Sequence, residues 1–471
     1  MSTTTDTGHT PADRRRIFFI ALVTSFLTPF MGSSINIALP AIGSELGADA
    51  VLLSWIPTSF VLASAIFLIP MGRLADIHGM RRVFVPGIII FTAGTLLCAF
   101  SWSTPLLIGF RLIQGIGNAM MFSTAIAALT AVYPPGERGA VLGINVAVTY
   151  IGLSAGPVLG GIITQNFGWR SIFYAVIPCG VFIIYLLLSS RDEWMERSPG
   201  KFDTAGSVMY GLLLLSLMYG LSLFPGPESL FFIACCVPLV IILVFRETRT
   251  DSPLFDISLF WHNHVFAFSN IATVINYCAT FAVGFLLALY LQFNRGLDPQ
   301  SAGIILVAQP VVQAVFSPAA GRLSDRIEPG IVASAGMGVT AVGLFCLALL
   351  TETTPVPFII AALAVLGLGF ALFSSPNTNA IMSSVSRDCL GIASATVGTA
   401  RQVGMMLSLG IVMMIFSVII GRVRISPENH LQLMASVQIA FGIFAVLCVA
   451  GIYFSMARGK IRKREDASRD R

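Results

Sequence analysis

Charge is what this sequence has least of. Only 11% of its 471 residues are Asp, Glu, Lys or Arg, against about 25% in an ordinary soluble domain. A chain so poor in charge cannot cover a water-facing surface. With 56% hydrophobic residues and a mean hydropathy of +0.85, it reads as an integral membrane protein. The shortage is sharpest inside the apolar runs. None of the 23 Asp and Glu residues falls in the middle of one, and all five histidines (His9, His78, His262, His264 and His430) lie in links or tails. The cysteines, Cys98, Cys179, Cys235, Cys236, Cys278, Cys346, Cys389 and Cys448, sit almost entirely in apolar runs at no metal-ligand spacing. They read as small buried hydrophobes, so no metal is expected. There is no nucleophile–base pair and no glycine-rich phosphate loop of the kind an ATP-driven pump needs. An enzyme and a cofactor are therefore without support. A cleavable signal peptide is not expected either, because the first apolar run continues through Leu39 without a small-residue cleavage pattern.

What the chain has instead is apolar length. A lipid core of about 30 Å takes about 20 apolar residues per helix. Spans of that kind read at Ile17–Leu39, Leu52–Met71, Val83–Phe100, Pro105–Val132, Gly139–Thr164 and Ser171–Leu188. A link from Ser190 to Thr204 leads to a pair at Ala205–Leu223 and Ser229–Phe245. Six more follow, at Val265–Leu291, Ser301–Ala320, Gly330–Leu350, Phe358–Ile381, Leu390–Ile420 and Leu433–Met456. The expected class is all-α, with 14 transmembrane spans in a 6 + 2 + 6 order. Residues 1–16 form a polar tail, 17–190 a first six-helix bundle and 191–264 a linker with the two extra spans. Residues 265–457 form a second six-helix bundle, and 458–471 a basic tail. Within the linker, the alternating apolar residues of Pro253–Phe260 suggest a short surface helix, or equally a loop that packs its hydrophobes.

The positive charges set the orientation. With the N-terminus inside, 22 of the 28 Lys and Arg fall in inside links and tails. Four (Arg170, Arg295, Arg422 and Arg424) fall outside, and two (Arg111 and Arg401) fall within spans. That asymmetry obeys the positive-inside rule with both termini cytoplasmic. The net charge of +5 then suits a membrane surface and needs no nucleic acid.

Polar residues inside spans are costly and therefore informative. In the fourth span Arg111, Gln114, Gly115 and Asn118 fall on one helix face. An arginine there costs several kcal/mol on insertion scales, and about 10 or more in simulations, unless it meets a wet cavity or a partner. A snorkelling arginine near the helix start is the bland alternative. Arg401, followed by Gln402, is a second intramembrane cation. Asn36, Asn276, Gln309, Gln313, Asn377 and Asn379 are weaker candidates, since any one is more often a helix-to-helix hydrogen bond. Between the second and third spans lies Gly72-Arg73-Leu74-Ala75-Asp76-Ile77-His78-Gly79-Met80-Arg81-Arg82. Gly72 and Gly79 allow helix ends to approach, and Asp76 can cap a helix or pair with Arg81 or Arg82. A partial copy, Gly321-Arg322-Leu323-Ser324-Asp325-Arg326, recurs 249 positions later and signals two related halves. In the fifth span Gly152, Gly156 and Gly160 recur at four-residue steps, with Pro157 and Gly161 among them. Such a face admits a neighbouring backbone, and the proline weakens the local ladder.

These segments, in this order, resemble three signature motifs of the major facilitator superfamily: the Gly72–Arg82 turn, Arg111-x-x-Gln114-Gly115-x-Gly117, and Gly152–Gly161, which is similar to the antiporter motif. The 6 + 2 + 6 layout, the Trp55 segment and the Pro253–Phe260 linker look like the fourteen-span drug:proton antiporter branch. The resemblance covers nearly the whole chain outside the tails. It implies two six-helix bundles plus two extra helices around a central cavity in the plasma membrane, in a monomer that rocks between inside- and outside-open states. It implies export of amphipathic or hydrophobic small molecules against inward proton flow. It also implies that Gly72, Asp76, Gly79, Arg81, Arg82, Gly321 and Asp325 govern conformation. Arg111 would then assist proton or substrate handling.

One departure stands out. Where the branch carries an aspartate in the first span, five residues before Asn36, this chain has Met31. A proton antiporter needs a group whose protonation changes during the cycle, and the candidates here, Asp76 and Glu137, lie at span boundaries. A second reading is therefore transport of an anionic or neutral solute, with other or no proton coupling. A third, from another class, is a membrane sensor or scaffold that keeps the fold without transport. Cysteines introduced at Ser2 and Asp470 should label from the same, cytoplasmic face; labelling from opposite faces would mean an odd number of spans.

Overall fold

In a computed structural model of the chain, residues 10–188, 194, 200–250, 253–255, 257–386 and 389–459 are described. Residues 1–9, Arg191, Arg197, Arg387 and the tail from Lys460 to Arg471, which entered the charge asymmetry, lie outside the described residues. So does most of the Ser190–Thr204 link.

Lipid offers the backbone no hydrogen-bond partner, so a chain this apolar must satisfy its amides within helices. Among the described residues, fourteen helical runs are long and apolar enough to cross a membrane. Six make the first bundle: α1 (Pro11–Leu46), α2 (Ala50–His78), α3 (Met80–Ala99), α4 (Thr104–Val132), α5 (Pro135–Phe167) and α6 (Arg170–Leu188). The extra pair is α7 (Thr204–Leu223) and α8 (Pro227–Glu247), followed by the short α9 (Ile257–His262). The ninth span joins α10 (His264–Thr280), α11 (Val283–Leu289) and a π-helical turn, Tyr290–Asn294. The tenth joins α12 (Pro299–Leu306) and α13 (Ala308–Arg326). The last four are α14 (Pro329–Ala348), α15 (Val356–Ser383), α16 (Leu390–Ile419) and α17 (His430–Ala457). With fourteen crossings the first span begins and the last ends on one face, here the terminal face; the other is distal.

Capping side chains fix several starts. Asp49 accepts from the Leu52 amide at 2.8 Å, and Asp298 from the Ser301 amide at 2.9 Å. Thr10 caps α1 in the same way, at 3.2 Å from the Asp13 amide. The expected polar tail is corrected here: helix begins at Pro11, so Arg14–Arg16 lie on its first turns. The surface helix of the linker is shifted too. Pro253–Phe255 is not helical, and α9 begins at Ile257. The interruptions of the ninth and tenth spans had no expectation in the sequence.

In the first bundle α1 packs on α5, α2 on α4, and α3 on both α4 and α6. In the second, α10 packs on α16 and α17, α13 on α15, and α14 on α15 and α17. The repeat signalled by the motif copy is visible in matching contacts. A side chain at Gly72 would meet Ser123 of α4, and one at Gly321 would meet Ser375 of α15. The extra helix α7 touches both bundles. Its Tyr210 hydroxyl donates to the Ala65 carbonyl of α2 at 3.3 Å, and its Met218 lies against Gly410 of α16. By contrast α8 packs on α7 and leaves Leu230, Phe231, Ile241 and Phe245 exposed, as a lipid-facing helix should.

The reversal between α2 and α3 is made at Gly79, with φ at +110°. L-side chains rarely adopt such a backbone, and forcing one there costs about 1–3 kcal/mol. Gly79→Val should therefore lower the unfolding midpoint of the purified protein, while Gly136→Val, in open space at the start of α5, should leave it nearly unchanged.

Candidate functional site

The two bundles meet where α5 packs on α12 and where α2 packs on α16, and α5 carries the glycine contacts. Its glycine stripe lies on α1: a Cβ at Gly152 would approach the Phe26 carbonyl at 2.5 Å, and one at Gly160 would approach Ser34 Cβ at 2.7 Å. A Cβ at Gly156 would overlap the Ser33 hydroxyl. The remaining two members face the other bundle. Gly161 sits on the Pro299 carbonyl of α12, and Gly303 of α12 sits on the Pro157 carbonyl of α5. The segment Gly152, Gly156, Pro157, Gly160 and Gly161 is therefore both an intrabundle and an interbundle contact. Hydrogen bonds add to the join at the distal end. The Gln292 amide donates to the Ile37 carbonyl at 3.0 Å, the Ala50 amide to the Val423 carbonyl at 3.0 Å, and Arg424 to the Gly47 carbonyl at 3.2 Å. Farther toward the terminal face, Ser317 donates to the Tyr150 hydroxyl at 3.4 Å.

The polar face of α4 forms a continuous network inside the first bundle. Arg111, 1% exposed, donates to Gln114 Oε1 at 2.6 Å and to the Ile56 carbonyl at 3.3 Å, and lies over the Phe60 ring at 4.3 Å. Gln114 passes the chain to Thr95 of α3 at 2.7 Å. Asn118 donates to Ser64 of α2 at 3.0 Å and accepts from Thr28 of α1 at 2.7 Å. Among the described residues no carboxylate pairs with Arg111. It is held by a carbonyl, an amide and an aromatic face, so its positive charge is left uncompensated.

The second bundle carries the complementary set. Arg401 donates to Thr378 at 2.9 Å and stands 5.7 Å from the Tyr277 ring, with its Nε unpartnered. Gln313 is buried on α13, and Gln309 one turn earlier is half-buried. Asn276 on α10 is 0% exposed, and neither its amide nitrogen nor its oxygen has a protein partner. Asn36 on α1 likewise leaves its oxygen unpartnered and points its nitrogen toward Gly284 of α11. Asn377 and Asn379 belong elsewhere. Asn377 donates to Thr273 at 2.8 Å, and Asn379 reaches Ser324 at 3.3 Å and Asp325 at 3.5 Å.

At the terminal face, Arg81 donates to the Leu187 carbonyl that ends α6, at 2.9 Å. The expected Asp76 pair with Arg81 or Arg82 is not made in this structure. Asp76 is half-buried near the end of α2, and Glu137 is exposed. Sequence reasoning missed Arg458, which it counted as part of the tail. Arg458 is 2% exposed and donates to Asn377 Oδ1 at 2.7 Å, Ser269 Oγ at 3.0 Å and Ser455 Oγ at 3.1 Å. Burial pushes its guanidinium down to about 10. Nothing in the local sequence distinguishes it from the basic residues that follow.

A family model described as Major Facilitator Superfamily matches residues 21–270 and again 269–470. The chain belongs to the Major Facilitator Superfamily. The first match covers the first bundle and the extra helices, the second covers the second bundle, and the fourteen spans fit the drug-antiporter type of this superfamily. The chain is 29% identical over 386 residues to the riboflavin transporter RibZ of Clostridioides difficile, covering 82% of this chain and 84% of that one. It is 29% identical over 411 residues to the tetracenomycin C resistance and export protein of Streptomyces glaucescens, covering 84% and 76%. In fold it is similar to a bacterial homolog of the human lysosomal transporter Spinster, solved inward-facing and unoccupied. That match has a TM-score of 0.70 at 15% identity over 96% of this chain and 98% of the other. As a superfamily member the chain is a multi-span membrane transporter of small molecules and not an enzyme.

Gly156→Leu should leave membrane insertion intact but reduce transport, because its side chain would drive α5 away from α1. Gly303→Val should act across the seam, raising the labelling of a cysteine placed at Ile37. Unchanged transport and labelling would remove the glycine contacts from the mechanism.

Proposed function

We propose that this transporter exports amphipathic or hydrophobic organic compounds across the cell membrane by alternating access, exchanging them for protons, as a monomer with both termini cytoplasmic. The observation that carries this reading is two buried asparagines, one in each bundle: Asn36 of α1, set against Gly284 of α11, and Asn276 of α10. Asn276 and Asn36 hold amide atoms without protein partners, and leaving such a group unpaired costs about 1–3 kcal/mol. A cargo with a few polar atoms on an apolar body would satisfy them. In this reading Arg111, Gln114, Asn118 and Asn36 serve the first bundle's side of the pathway. Asn276, Gln309, Gln313 and Arg401 serve the second. The distal hydrogen bonds and the α5–α12 contact would hold the outside shut, and rocking would break them and close the terminal face. Gly72, Asp76, Gly79, Arg81, Arg82, Gly321 and Asp325 sit at the helix ends that this motion would rearrange. The relative named for resistance and export supports the outward direction.

A second reading, transport of an anionic or neutral solute with other or no proton coupling, is favoured by one specific observation. The two intramembrane arginines face no partner carboxylate among the described residues, and the riboflavin transporter is a relative of this chain. With these arginines in the pathway, permanent dications would be poor cargo.

Arg111→Ala should abolish or redirect transport, and Arg111→Lys should restore it only in part, because lysine keeps the charge but loses the planar fork that reaches Gln114 and Ile56 together. The test is transport in sealed vesicles of a substrate panel sorted by charge, with and without an imposed pH gradient. Loss of transport when the gradient is collapsed supports antiport, and indifference to the gradient favours the second reading. Strong export of a permanent dication would refute an electropositive pathway and point to a carboxylate wrongly placed outside it.

A further inference from the structure

We propose that Asp203 and Glu247 form a proton-binding carboxyl pair at the base of the extra helices, holding one proton between them and tying the 253–255 segment to α7. No step of the transport reading uses this site, which lies outside both six-helix bundles.

The pair is built by helix ends that meet. Asp203 caps α7, accepting from the Gly206 amide at 3.0 Å, and Glu247 is the last residue of α8. Both side chains are almost fully enclosed, at 7% and 4% exposed. Each carboxyl has one oxygen occupied. Asp203 Oδ1 accepts from Arg246 at 2.7 Å as well as from Gly206, and Glu247 Oε2 accepts from the Phe255 amide at 2.9 Å. The other two oxygens, Asp203 Oδ2 and Glu247 Oε1, are buried with no partner. They share one small space, since a side chain at Gly206 would collide with both.

Two buried carboxylates so placed cannot both stay ionised without a large repulsion. Among the described residues, the charged groups that meet here are Asp203 from the start of α7 and Arg246 and Glu247 from the end of α8. The described part of the segment packed over them, 253–255, brings backbone and apolar side chains only. One arginine against two carboxylates leaves one negative charge, which a single proton neutralises. The proton is placed on Glu247. Burial works against the charged form of Asp203, but Arg246 and the Gly206 amide outweigh it and hold that carboxyl below its usual value. A proton on Glu247 Oε1 would face Asp203 Oδ2 across this shared space, and its release would leave two facing anions.

The pair has a mechanical outlet. Phe255, held by its amide on Glu247, places its ring 5.2 Å from Tyr210 in an edge-on arrangement, and Tyr210 bonds the backbone of α2. Since α2 packs on α16 across the bundles, losing the proton would loosen a strap that ends at the interbundle join.

The test is infrared titration of the purified full chain in lipid nanodiscs. The unaltered protein should show a protonated carboxyl band at neutral pH that disappears as the pH rises, and Glu247→Gln should lack it. A cysteine at Leu254 should become more accessible over the same pH range in the unaltered background and stay constant with Glu247→Gln. Asp203→Asn removes the facing anion, so it should move the loss of the band to lower pH by about one unit or more. This variant decides the matter even if Glu247→Gln fails to insert. An identical band in Glu247→Gln, or an unshifted midpoint in Asp203→Asn, would overturn the proposal.

Discussion

Where α5 meets α12, the bundles touch through backbone: Gly161 lies on the Pro299 carbonyl, and Gly303 lies on the Pro157 carbonyl. A contact of this kind has no side chains to interdigitate and few atoms to desolvate, so it can be made and broken without repacking a core. Pro157 contributes by freeing the carbonyl ladder around it. On the opposite side of α5, the glycine steps at 152, 156 and 160 lock the helix to α1, so any displacement of α5 carries α1 with it. The helix is thus rigid toward its own bundle and separable from the other. That asymmetry is what a rocking transporter requires.

Scarcity of charge shapes everything else. Arg111 is accommodated by lone-pair and aromatic partners, which neutralise none of its charge, and Arg458 by a carbonyl, an amide and two hydroxyls. Acidic groups were kept out of the middle of the spans, and the buried ones gather at the ends of the extra helices. On the proposed reading, an interior that offers cations and amides would suit neutral and anionic polar groups set on an apolar body.

Much of this was legible from the residues. Apolar length gave all fourteen spans, because lipid imposes a fixed thickness on each. The four-residue glycine steps identified a close backbone neighbour, since nothing else rewards such a stripe. The copied turn at Gly321 pointed to the matching contacts at Ser123 and Ser375. What escaped was set by partners distant in sequence. The enclosure of Arg111 depends on Thr95 and Phe60 from two other helices, and the burial of Arg458 depends on Ser269 and Asn377. The meeting of Asp203 with Glu247 depends on how α7 and α8 close, although each looked like an ordinary link residue. The breaks at Phe281–Ala282 and Val307 also left no mark, because their residues are as apolar as the helices around them. The six helical residues before Ile17 were misread for the opposite reason: a polar composition hid a helix capped by Thr10.

The central claim is that the bundles pivot so that the distal join opens as the terminal face closes. It is tested most directly by electron–electron resonance distances in a cysteine-free background. One spin-label pair is placed at Phe167 and Asp298 on the distal ends of α5 and α12, and another at Glu137 and Arg322 on the terminal ends of α5 and α13. On changing pH or adding a transported compound, the distal distance should lengthen while the terminal distance shortens. Two distances that stay fixed, or that move in the same sense, would contradict the pivot.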